Sequence, residues 1–438
     1  MNKLFKNKKV VVMGLGLHGG GVSVAKFFYK QGANVLVTDL KTEIQLKDSL
    51  EKLKKLKIEY VLGGHKESDF QKADLIIKNP DVPNSSPYLE IARKNNVLIE
   101  TDVSLFFKLT KAFTIGVTGT KGKSTTASLI YHLLKPKYKR IFLAGNIGVS
   151  PLEIISKVKK GDKVVLELSN FELENLNQSP NIAVVTNILE DHLNRYASMS
   201  DYVDSKKSIF KYQNKKDNLV LNEDDLIVKN FAKEAFSKVY FYSVKKILKT
   251  IKIKDFKLLG EHNLSNLSAT ITVAKLLKVS TASINKSIKS FKGVPSRQEF
   301  IKEVHGVKYF NDTTATMPEA VIAAINAFSS KFINSKLILI CGGQNKGLDF
   351  LELTKIIRER VGDLVLLPGT ASDKIEEGLS GYNRIYKVSS MQEAVLTAKK
   401  TAKKGDIVVL SPGATSFNLF KNEFDRGEQF IKAVKNLK

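Results

Sequence analysis

The stretch TGTKGKST at residues 118–125 decides the fold of this chain. It stands between a β-branched apolar run at residues 113–117, which predicts a strand, and a helical pattern at residues 124–134. Glycines at such a junction let backbone N–H groups converge on phosphate oxygens, while a lysine neutralises phosphate charge and a hydroxyl binds Mg²⁺. Lys123 and Ser124 supply these two groups, so the stretch predicts a site for a nucleoside triphosphate.

A strand, a glycine-rich turn and a helix follow one another in three sections of the chain. This order is typical of α/β units with parallel strands. We therefore expect an α/β protein of three domains, at residues 1–109, 110–297 and 298–438. The predicted strands lie at residues 9–13, 33–39, 75–78, 97–100, 113–117, 164–168, 182–187, 337–341, 364–367 and 407–410.

One helix of the third section can be placed by the spacing of its apolar residues. Val321, Ala324, Ile325 and Phe328 recur at i, i+3, i+4 and i+7 after Pro318. This spacing puts the four side chains on one face of a helix, and we expect that face to pack on the core.

Composition limits the class of protein. The chain has 438 residues, of which 43% are hydrophobic and 26% are charged, so it is too apolar for disorder and too long for one core. Its apolar runs are far shorter than the roughly 20 residues that cross a bilayer. A single cysteine, Cys341, excludes an intramolecular disulfide and a cysteine-rich metal site. The basic and apolar N-terminus mimics a secretory signal without its cleavage site, so we expect a cytoplasmic protein.

The formal net charge of +26 raises the question of nucleic-acid binding. Only eight of the 70 basic residues are Arg, and the Lys residues are scattered along the chain rather than gathered in one block. Proteins that recognise bases, or that bind phosphates through bidentate hydrogen bonds, use the planar donors of Arg. The lysines therefore indicate a solvated surface, and we expect no nucleic-acid partner; small anionic substrates fit the same charge.

A second glycine motif lies near the N-terminus. Gly14, Gly16 and Gly19 have the spacing of a dinucleotide-binding turn, and Asp39 ends the next predicted strand, where a ribose hydroxyl is often bound. The motif alone is compatible with NAD, with another nucleotide diphosphate, or with tight packing of helix on strand. The triphosphate loop argues against NAD, because a hydride-transfer enzyme has no evident need of that loop.

Acidic residues follow two strands of the second section. Glu167 ends one strand, and Glu190, Asp191 and His192 follow another. Ligands of parallel α/β sheets bind outside the carboxyl ends of the strands, so we expect these side chains to face the phosphates. Strand-end carboxylates with His are a plausible Mg²⁺ set beside Ser124. The alternative is that Glu167 caps a helix and His192 only packs.

These residues, with others along essentially the whole chain, resemble the ATP-dependent Mur ligases of peptidoglycan synthesis. In the middle section the resemblance rests on the phosphate loop, Gly145-Asn146-Ile147-Gly148, Glu167-Leu168-Ser169, Asn187, Glu190-Asp191-His192, Gly260-x-His262-Asn263-x-x-Asn266 and Arg297. The branch of the family that adds D-glutamate is the nearest. That likeness rests on the Gly14 turn, residues 311–316, Gly342-Gly343-x-x-Lys346-Gly347-x-Asp349, residues 411–417, Lys421-Asn422 and Arg426-Gly427.

The resemblance implies an N-terminal Rossmann-like domain for a UDP-linked substrate, a central phosphate-loop ATPase domain with a parallel or mixed sheet, and a C-terminal Rossmann-like domain for the amino acid. It implies an enzyme that uses ATP to join D-glutamate to UDP-N-acetylmuramoyl-L-alanine through an acyl phosphate, releasing ADP and phosphate. We expect this enzyme to be a monomer. It also implies two Mg²⁺ ions and a carbamate formed from CO₂ on Lys206; the adjacent Lys207 leaves that assignment open by one residue.

Site residues follow from the resemblance position by position. Catalytic roles fall to Lys123, Glu167, His192 and Lys206, and metal binding to Ser124, Glu167, His192 and carbamylated Lys206. ATP contacts fall to Gly119, Thr120, Lys121, Gly122, Lys123, Ser124, Thr125, Asn263, Asn266, Arg297 and Asp312. Contacts to the UDP-substrate fall to Gly14, Leu15, Gly16, His18, Asp39, Lys41, Asn146 and His192. Contacts to D-glutamate fall to Thr316, Lys346, Ser416 and Phe417.

The chain departs from the family pattern at three positions. Thr314 stands where a lysine is usual, Ser296 replaces a His before Arg297, and Glu423 replaces a Phe that here follows one place later. All three departures fall where contacts to phosphate or to the amino acid are expected. They leave the amino-acid substrate open at the level of sequence.

Three other functions stay in view. A related Mur or folylpolyglutamate-type ligase would use the same chemistry with another amino acid, although the Gly14 turn argues against the folate enzymes. An NAD-dependent oxidoreductase would be built on that turn. A nucleic-acid-dependent NTPase would exploit the positive charge.

Overall fold

Three parallel or mixed β-sheets organise the protein. The computed structural model describes residues 3–17, 19–190, 195–196, 198–248, 256–416 and 419–437. It confirms the α/β architecture and groups the chain into two compact units, Met1–Lys252 with Ser265–Ile288, and Ile253–Leu264 with Lys289–Lys438. The first unit contains two of the sheets and the second contains the third.

The N-terminal sheet is fully parallel, with strand order β3-β2-β1-β4-β5. Its strands are β1 (Lys9–Met13), β2 (Asn34–Asp39), β3 (Glu59–Leu62), β4 (Leu75–Lys78) and β5 (Leu98–Glu100). Its helices are α1 (Gly20–Lys30), α2 (Glu43–Glu51), α3 (Glu67–Gln71), α4 (Pro87–Lys94) and α5 (Asp102–Leu109). This order is Rossmann-like, as the family resemblance implies, and the glycine turn lies at the carboxyl end of β1.

The middle sheet is also parallel, with order β11-β10-β9-β6-β8-β7. Its strands are β6 (Phe113–Thr118), β7 (Ile141–Gly145), β8 (Lys163–Glu167), β9 (Ile182–Val185), β10 (Asn218–Asn222) and β11 (Lys238–Tyr242). Its helices are α6 (Lys123–Leu134), α7 (Pro151–Ile154), α8 (Asn170–Leu173), α9 (Met199–Lys211), α10 (Leu226–Asn230), the 3₁₀ turn Phe231–Lys233, and α11 (Val244–Leu248). Two further helices follow, α12 (Glu261–Leu276) and α13 (Thr281–Ser290).

The third sheet is mixed, with order β12-β13-β17-β14-β15-β16, and only the β12–β13 pair is antiparallel. Its strands are β12 (Glu299–Val304), β13 (Val307–Asn311), β14 (Leu337–Gly342), β15 (Asp363–Leu367), β16 (Ile385–Lys387) and β17 (Ile407–Leu410). Its helices are α14 (Pro318–Lys331), α15 (Leu351–Arg360), α16 (Thr370–Glu377), α17 (Met391–Thr401) and α18 (Glu423–Lys435).

Burial on both faces explains the uniformly apolar strands. Every residue of β9 and of β14 is buried, because helices cover both sides of a parallel sheet. In the first unit one apolar cluster runs from strand β1 through α5 to the middle sheet; Val12, Phe106 and Leu166 all belong to it. The two sheets of that unit therefore share a core. Among the described helices, none combines the length and apolar composition that crossing a bilayer requires.

The ten predicted strands agree with the observed bounds to within about two residues, whereas β3, β7, β10, β11, β12, β13 and β16 were not predicted. Strands β1, β4 and β17 have the predicted bounds, and α1 begins directly after Gly19, which forms its left-handed N-cap. Val321, Ala324, Ile325 and Phe328 are all buried on α14, as their spacing predicts. The domain boundaries 1–109, 110–297 and 298–438 stay a prediction.

Phe328 offers a test of the third core. Its side chain is fully buried, with ring centroids 4.7 Å from Phe310 and 6.3 Å from Phe332. Phe328→Ala removes these contacts and leaves a cavity, so we expect the free energy of unfolding in urea to fall by roughly 3–5 kcal/mol. The control Phe236→Ala alters a side chain that is 76% exposed. It should change the free energy of unfolding by less than about 0.5 kcal/mol. Equal losses would contradict the burial pattern.

Candidate active site

The phosphate loop lies where the strand order of the middle sheet reverses. Strand β6 pairs with β8 on one side and with β9 on the other, and the loop connects β6 to α6. Two glycines in it have positive φ, 145° at Gly119 and 83° at Gly122. A Cβ on Gly119 would lie 1.9 Å from the Thr186 hydroxyl, and one on Gly122 would lie 2.4 Å from the Asn266 side-chain oxygen. Only glycine fits at either position.

The end of β9 braces this loop. The Asn187 side chain accepts the Lys121 N–H at 2.8 Å and donates to the Lys121 carbonyl at 3.0 Å. Lys123 Nζ donates to the carbonyls of Gly119 and Thr120 at 3.0 and 2.9 Å. The ammonium group is therefore held over the loop, where it can meet a phosphate. The predicted strand, glycine loop and helix are confirmed as structural elements.

Glu167 ends β8 beside this loop and is buried. Its Oε1 accepts the Asn146 side-chain amide at 3.3 Å, whereas its buried Oε2 has no hydrogen-bond partner among the described residues. Helix α8 is capped by Ser169, so the alternative that Glu167 caps a helix does not hold. An unpaired buried carboxylate oxygen is costly unless a cation or proton satisfies it. The site therefore fits a cation, and Ser124, buried in the first turn of α6, is the predicted hydroxyl partner.

Two neighbouring lysines on α9 have different surroundings. Lys206 is buried, its Nζ donates to the Gly119 carbonyl at 3.3 Å, and it lies 4.6 Å from the Tyr202 ring centroid. Lys207 instead forms ion pairs with Asp204 at 3.0 Å and Glu234 at 2.7 Å. Only Lys206 of this pair contacts the phosphate loop in the structure.

The residues predicted to contact the rest of ATP divide between the two units. Asn266 lies against the loop, where its side-chain oxygen accepts the Thr126 hydroxyl at 3.2 Å. Asn263, Arg297 and Asp312 belong to the second unit. Burial raises the pKa of Asp312 to about 7, although the Ser411 hydroxyl, the Gln298 N–H and the charge of Arg297 oppose the rise.

Asp39 shapes the N-terminal glycine turn. One carboxylate oxygen accepts the N–H groups of Leu15 and Gly16 at 2.9 and 3.1 Å, and the other accepts the Lys41 N–H at 2.9 Å. Gly14 has φ of 90°, and a Cβ on it would lie 2.8 Å from Asn79 Cβ. The structure thus brings the predicted turn residues together around one carboxylate, and contact of Asp39 with a ribose stays a prediction.

Three loops meet at the carboxyl ends of adjacent strands in the third sheet. The loop with Lys346 pairs with the one before Ser416 through Gln344 and Thr415, whose N–H groups donate to each other's carbonyl oxygens at 3.1 Å. The loop with Thr316 joins them, because the Gly413 N–H donates to the Ala315 carbonyl at 2.8 Å. Ser416 is buried and Lys346 is exposed. The predicted residues His18, His192 and Phe417 lie outside the described part of the chain.

Sequence reasoning assigned no role to Glu172. It is buried and forms a capping box with Ser169, whose N–H it accepts at 2.6 Å. Burial, followed by the charge of Asp102, raises its pKa to about 8, and the nearby charge of Glu167 acts in the same direction. The Ser-x-x-Glu spacing could have signalled the cap. Nothing local signals the neighbouring carboxylates, because Asp102 comes from a distant element.

Family models match most of the chain. They are described as Mur ligase MurD-like, N-terminal domain at residues 8–100, Mur ligase middle domain at residues 117–274, and Mur ligase, glutamate ligase domain at residues 296–413. A protein of Roseiflexus sp. (strain RS-1), named UDP-N-acetylmuramoylalanine--D-glutamate ligase, is 38% identical, over 98% of this chain and 98% of its own length. A protein of the same name from Borreliella burgdorferi (strain ZS7) is 37% identical, over 99% and 98%.

Solved structures of similar fold extend over the whole chain. UDP-N-acetylmuramate-alanine ligase from Thermotoga maritima has a TM-score of 0.65 at 20% identity and covers 99% of this chain and 100% of its own. MurF ligase from Thermotoga maritima, solved with ADP, has a TM-score of 0.57 at 18% identity. It covers 99% of this chain and 96% of its own. At these identities the likeness establishes the fold.

Glu172 generates a prediction about pH. Its folded pKa of about 8 lies above the ordinary value of 4.5, so the folded chain retains a proton that the unfolded chain releases. The free energy of unfolding therefore falls as pH rises between these values, by about 1 kcal/mol per pH unit from this group. Glu172→Gln keeps the acceptor and removes the titration. We expect the variant to gain stability over wild type from pH 5 to pH 9, measured by urea unfolding.

Glu393→Gln is the matched control for this comparison. Glu393 also accepts an N–H and a hydroxyl from one serine, Ser389, but it is exposed and its pKa is lowered by those bonds. Its replacement should not gain stability over wild type as pH rises. Parallel stability curves for wild type and Glu172→Gln would contradict the assigned protonation of Glu172.

Proposed function

The chain belongs to the Mur ligase family, and we propose that it is an ATP-dependent ligase that joins D-glutamate to UDP-N-acetylmuramoyl-L-alanine in peptidoglycan synthesis. Full-length similarity to relatives named for that reaction carries the proposal. The phosphate loop and the unpaired Glu167 oxygen support it, because both fit a nucleotide triphosphate with its cation. We further propose a cytoplasmic monomer with domains at residues 1–109 for the UDP-substrate, 110–297 for ATP and 298–438 for the amino acid.

The proposed reaction has two steps. An oxygen of the L-alanine carboxylate attacks the γ-phosphorus of ATP, the bond to the β,γ-bridging oxygen breaks, and ADP leaves with an acyl phosphate remaining. The neutral amine of D-glutamate then attacks the acyl carbon, loses a proton, and expels inorganic phosphate. Charge builds up on phosphate oxygens in the first step, so cationic donors accelerate it more than a nucleophilic side chain would. Lys123 and the N–H groups of the loop supply such donors.

Ser124, Glu167 and His192 would hold Mg²⁺, with a second ion nearby. Bound Mg²⁺ would neutralise phosphate charge and orient its oxygens. The fit rests on chemistry of the donor set, a hydroxyl and a buried carboxylate oxygen that lacks a partner among the described residues. Asn146 holds the other Glu167 oxygen and thereby sets the direction in which the free oxygen points.

The remaining substrate contacts are proposed from the family pattern and from where the loops meet. The UDP part would bind Gly14, Leu15, Gly16, His18, Asp39 and Lys41, and its alanine end Asn146 and His192. D-glutamate would bind Thr316, Lys346, Ser416 and Phe417, three of which lie on the joined loops of the third sheet. The adenosine and phosphates of ATP would bind residues 119–125, Asn263, Asn266, Arg297 and Asp312.

The first test measures ADP release with ATP, Mg²⁺ and UDP-N-acetylmuramoyl-L-alanine. We expect turnover with D-glutamate and none with L-glutamate, L-lysine or diaminopimelate, despite Thr314 and Glu423. Turnover with another amine alone would keep the chemistry and overturn the substrate. Release that depends on DNA, or binding of a nicotinamide nucleotide without ligation, would favour the other two functional classes.

A second prediction concerns the phosphate loop. Lys123→Ala removes the ammonium held over the loop, so we expect ADP release to fall by at least about 100-fold with the fold intact, measured by steady-state kinetics and circular dichroism. Lys135→Ala, at the other end of α6 and exposed, is the control and should retain wild-type turnover. An active Lys123→Ala enzyme would overturn the role of the loop.

A third prediction concerns Lys206. We propose that its neutral amine adds to CO₂, forming an N–C bond and releasing a proton, so that the resulting carbamate can bind a cation. Burial beside Gly119 supports Lys206 over the ion-paired Lys207. With ¹³C-labelled bicarbonate, wild type and Lys207→Arg should give a carbamate carbon signal by NMR, and Lys206→Arg should not. Persistence of the signal in Lys206→Arg would contradict the assignment.

A further inference from the structure

The guanidinium of Arg195 joins the two sheets of the first unit. It donates to the backbone carbonyls of Pro80 at 3.1 Å and Asp81 at 3.0 Å, which follow β4 in the N-terminal sheet. It also pairs with Glu174 at 3.3 Å, just after α8 of the middle sheet, and its carbon lies 3.9 Å from the Phe171 ring centroid. Both charged side chains are mostly buried, with 19% and 14% of their surfaces exposed.

Each partner of Arg195 continues directly into a candidate site. On one side, Pro80 follows Asn79, whose side chain donates to the Gly14 carbonyl at 3.4 Å and fills the space above that glycine. On the other side, Phe171 and Glu174 lie on and just beyond α8, which begins three residues after Glu167. The ion pair therefore connects the glycine turn of the N-terminal sheet with the segment that follows Glu167, the proposed metal-binding carboxylate of the middle sheet.

Other polar groups support this link. Glu174 also accepts the Tyr196 hydroxyl through its other oxygen and the Asn84 side-chain amide at 3.5 Å, and Tyr196 in turn accepts the Asn170 amide at 2.7 Å. Arg195 binds two carbonyls, a carboxylate and a ring face at once. The planar fork of arginine suits such a set, whereas the point charge of lysine cannot satisfy all of it.

We propose that Arg195 is a positioning residue that fixes the N-terminal glycine turn relative to the phosphate loop, an inference that rests on the proposed function. A substrate held by its UDP at one sheet must present its carboxylate at the other. Binding at both ends becomes effectively intramolecular only when the spacing between the two sites is fixed. If that spacing is no longer fixed, ligands that span both sites should bind more weakly, whereas ligands that occupy one site should bind as before.

The experiment compares Arg195→Gln with wild type for three ligands by calorimetry: UDP, a non-hydrolysable ATP analogue, and UDP-N-acetylmuramoyl-L-alanine. We expect the dissociation constants of UDP and of the ATP analogue to stay within twofold of wild type. The constant of the spanning substrate should rise at least tenfold, and kcat for ADP release should fall at least tenfold. Arg195→Lys should recover only part of the loss.

Arg140→Gln is the matched control. Arg140 also pairs with a carboxylate, that of Asp162, donates to a backbone carbonyl, that of Lys157, and faces a ring, that of Phe142. All of its partners belong to the middle sheet and its connections, so its replacement should leave the three binding constants and kcat near wild type. Equal effects of the two substitutions would show a general loss of stability and overturn the proposal.

Three further outcomes overturn it. If UDP binds more weakly to the variant, Arg195 stabilises only the glycine turn. If the ATP analogue binds more weakly, Arg195 stabilises only the phosphate loop. If binding and kcat are both unchanged, Arg195 has no positioning role. Should Arg195→Gln not fold, Arg195→Gln with Glu174→Gln removes both charges of the ion pair and takes the same test. A wild-type protein that fails to release ADP would overturn the proposed function as well, whereas active wild type with equally active Arg195→Gln overturns only the coupling.

Discussion

The register of strand β6 between β8 and β9 is the constraint on which the site depends. Val117 pairs with Glu167 of β8, and Thr118 pairs with Val185 of β9. A shift of one residue in this pairing would turn Glu167 to the other face of the sheet and move Asn187 away from Lys121. Parallel pairing therefore does more than hold the sheet together, because it sets a carboxylate and an amide on opposite sides of one glycine loop.

The other two sheets have the same arrangement of a strand-end loop and a neighbouring polar group. In each, a loop at the carboxyl end of a strand is shaped by a polar group from the neighbouring segment: Asp39 for the turn after β1, and the paired backbone of Gln344 and Thr415 for the loop after β14. Parallel sheets direct all such strand ends to one edge. In the proposed function, each of the three sheets would bind one substrate at this edge.

The sequence predicts the local parts of this arrangement well. The phosphate loop, the glycine turn and the buried face of α14 follow from spacing and residue type, which depend only on neighbours along the chain. Asp39 shows the limit of that reasoning, because spacing along the chain does not reveal that its carboxylate accepts N–H groups of the turn itself. Its contact with a ribose stays a prediction. Arg195 and Glu172 show a related limit. The hydrogen bond of Arg195 to Pro80 and the effect of the Asp102 charge on Glu172 join segments that are distant in sequence, and no local pattern encodes either. Predictions for His18, His192 and Phe417 fall outside the described residues.

In the proposed function, these features serve one chemical event, transfer of the γ-phosphoryl group to the substrate carboxylate at the loop. Labelling that carboxylate with ¹⁸O follows the event atom by atom, because the oxygen that attacks phosphorus later leaves with phosphate. We expect mass spectrometry of the phosphate released in a complete reaction to find one ¹⁸O atom derived from the substrate. Phosphate without the label would contradict an acyl phosphate at this site.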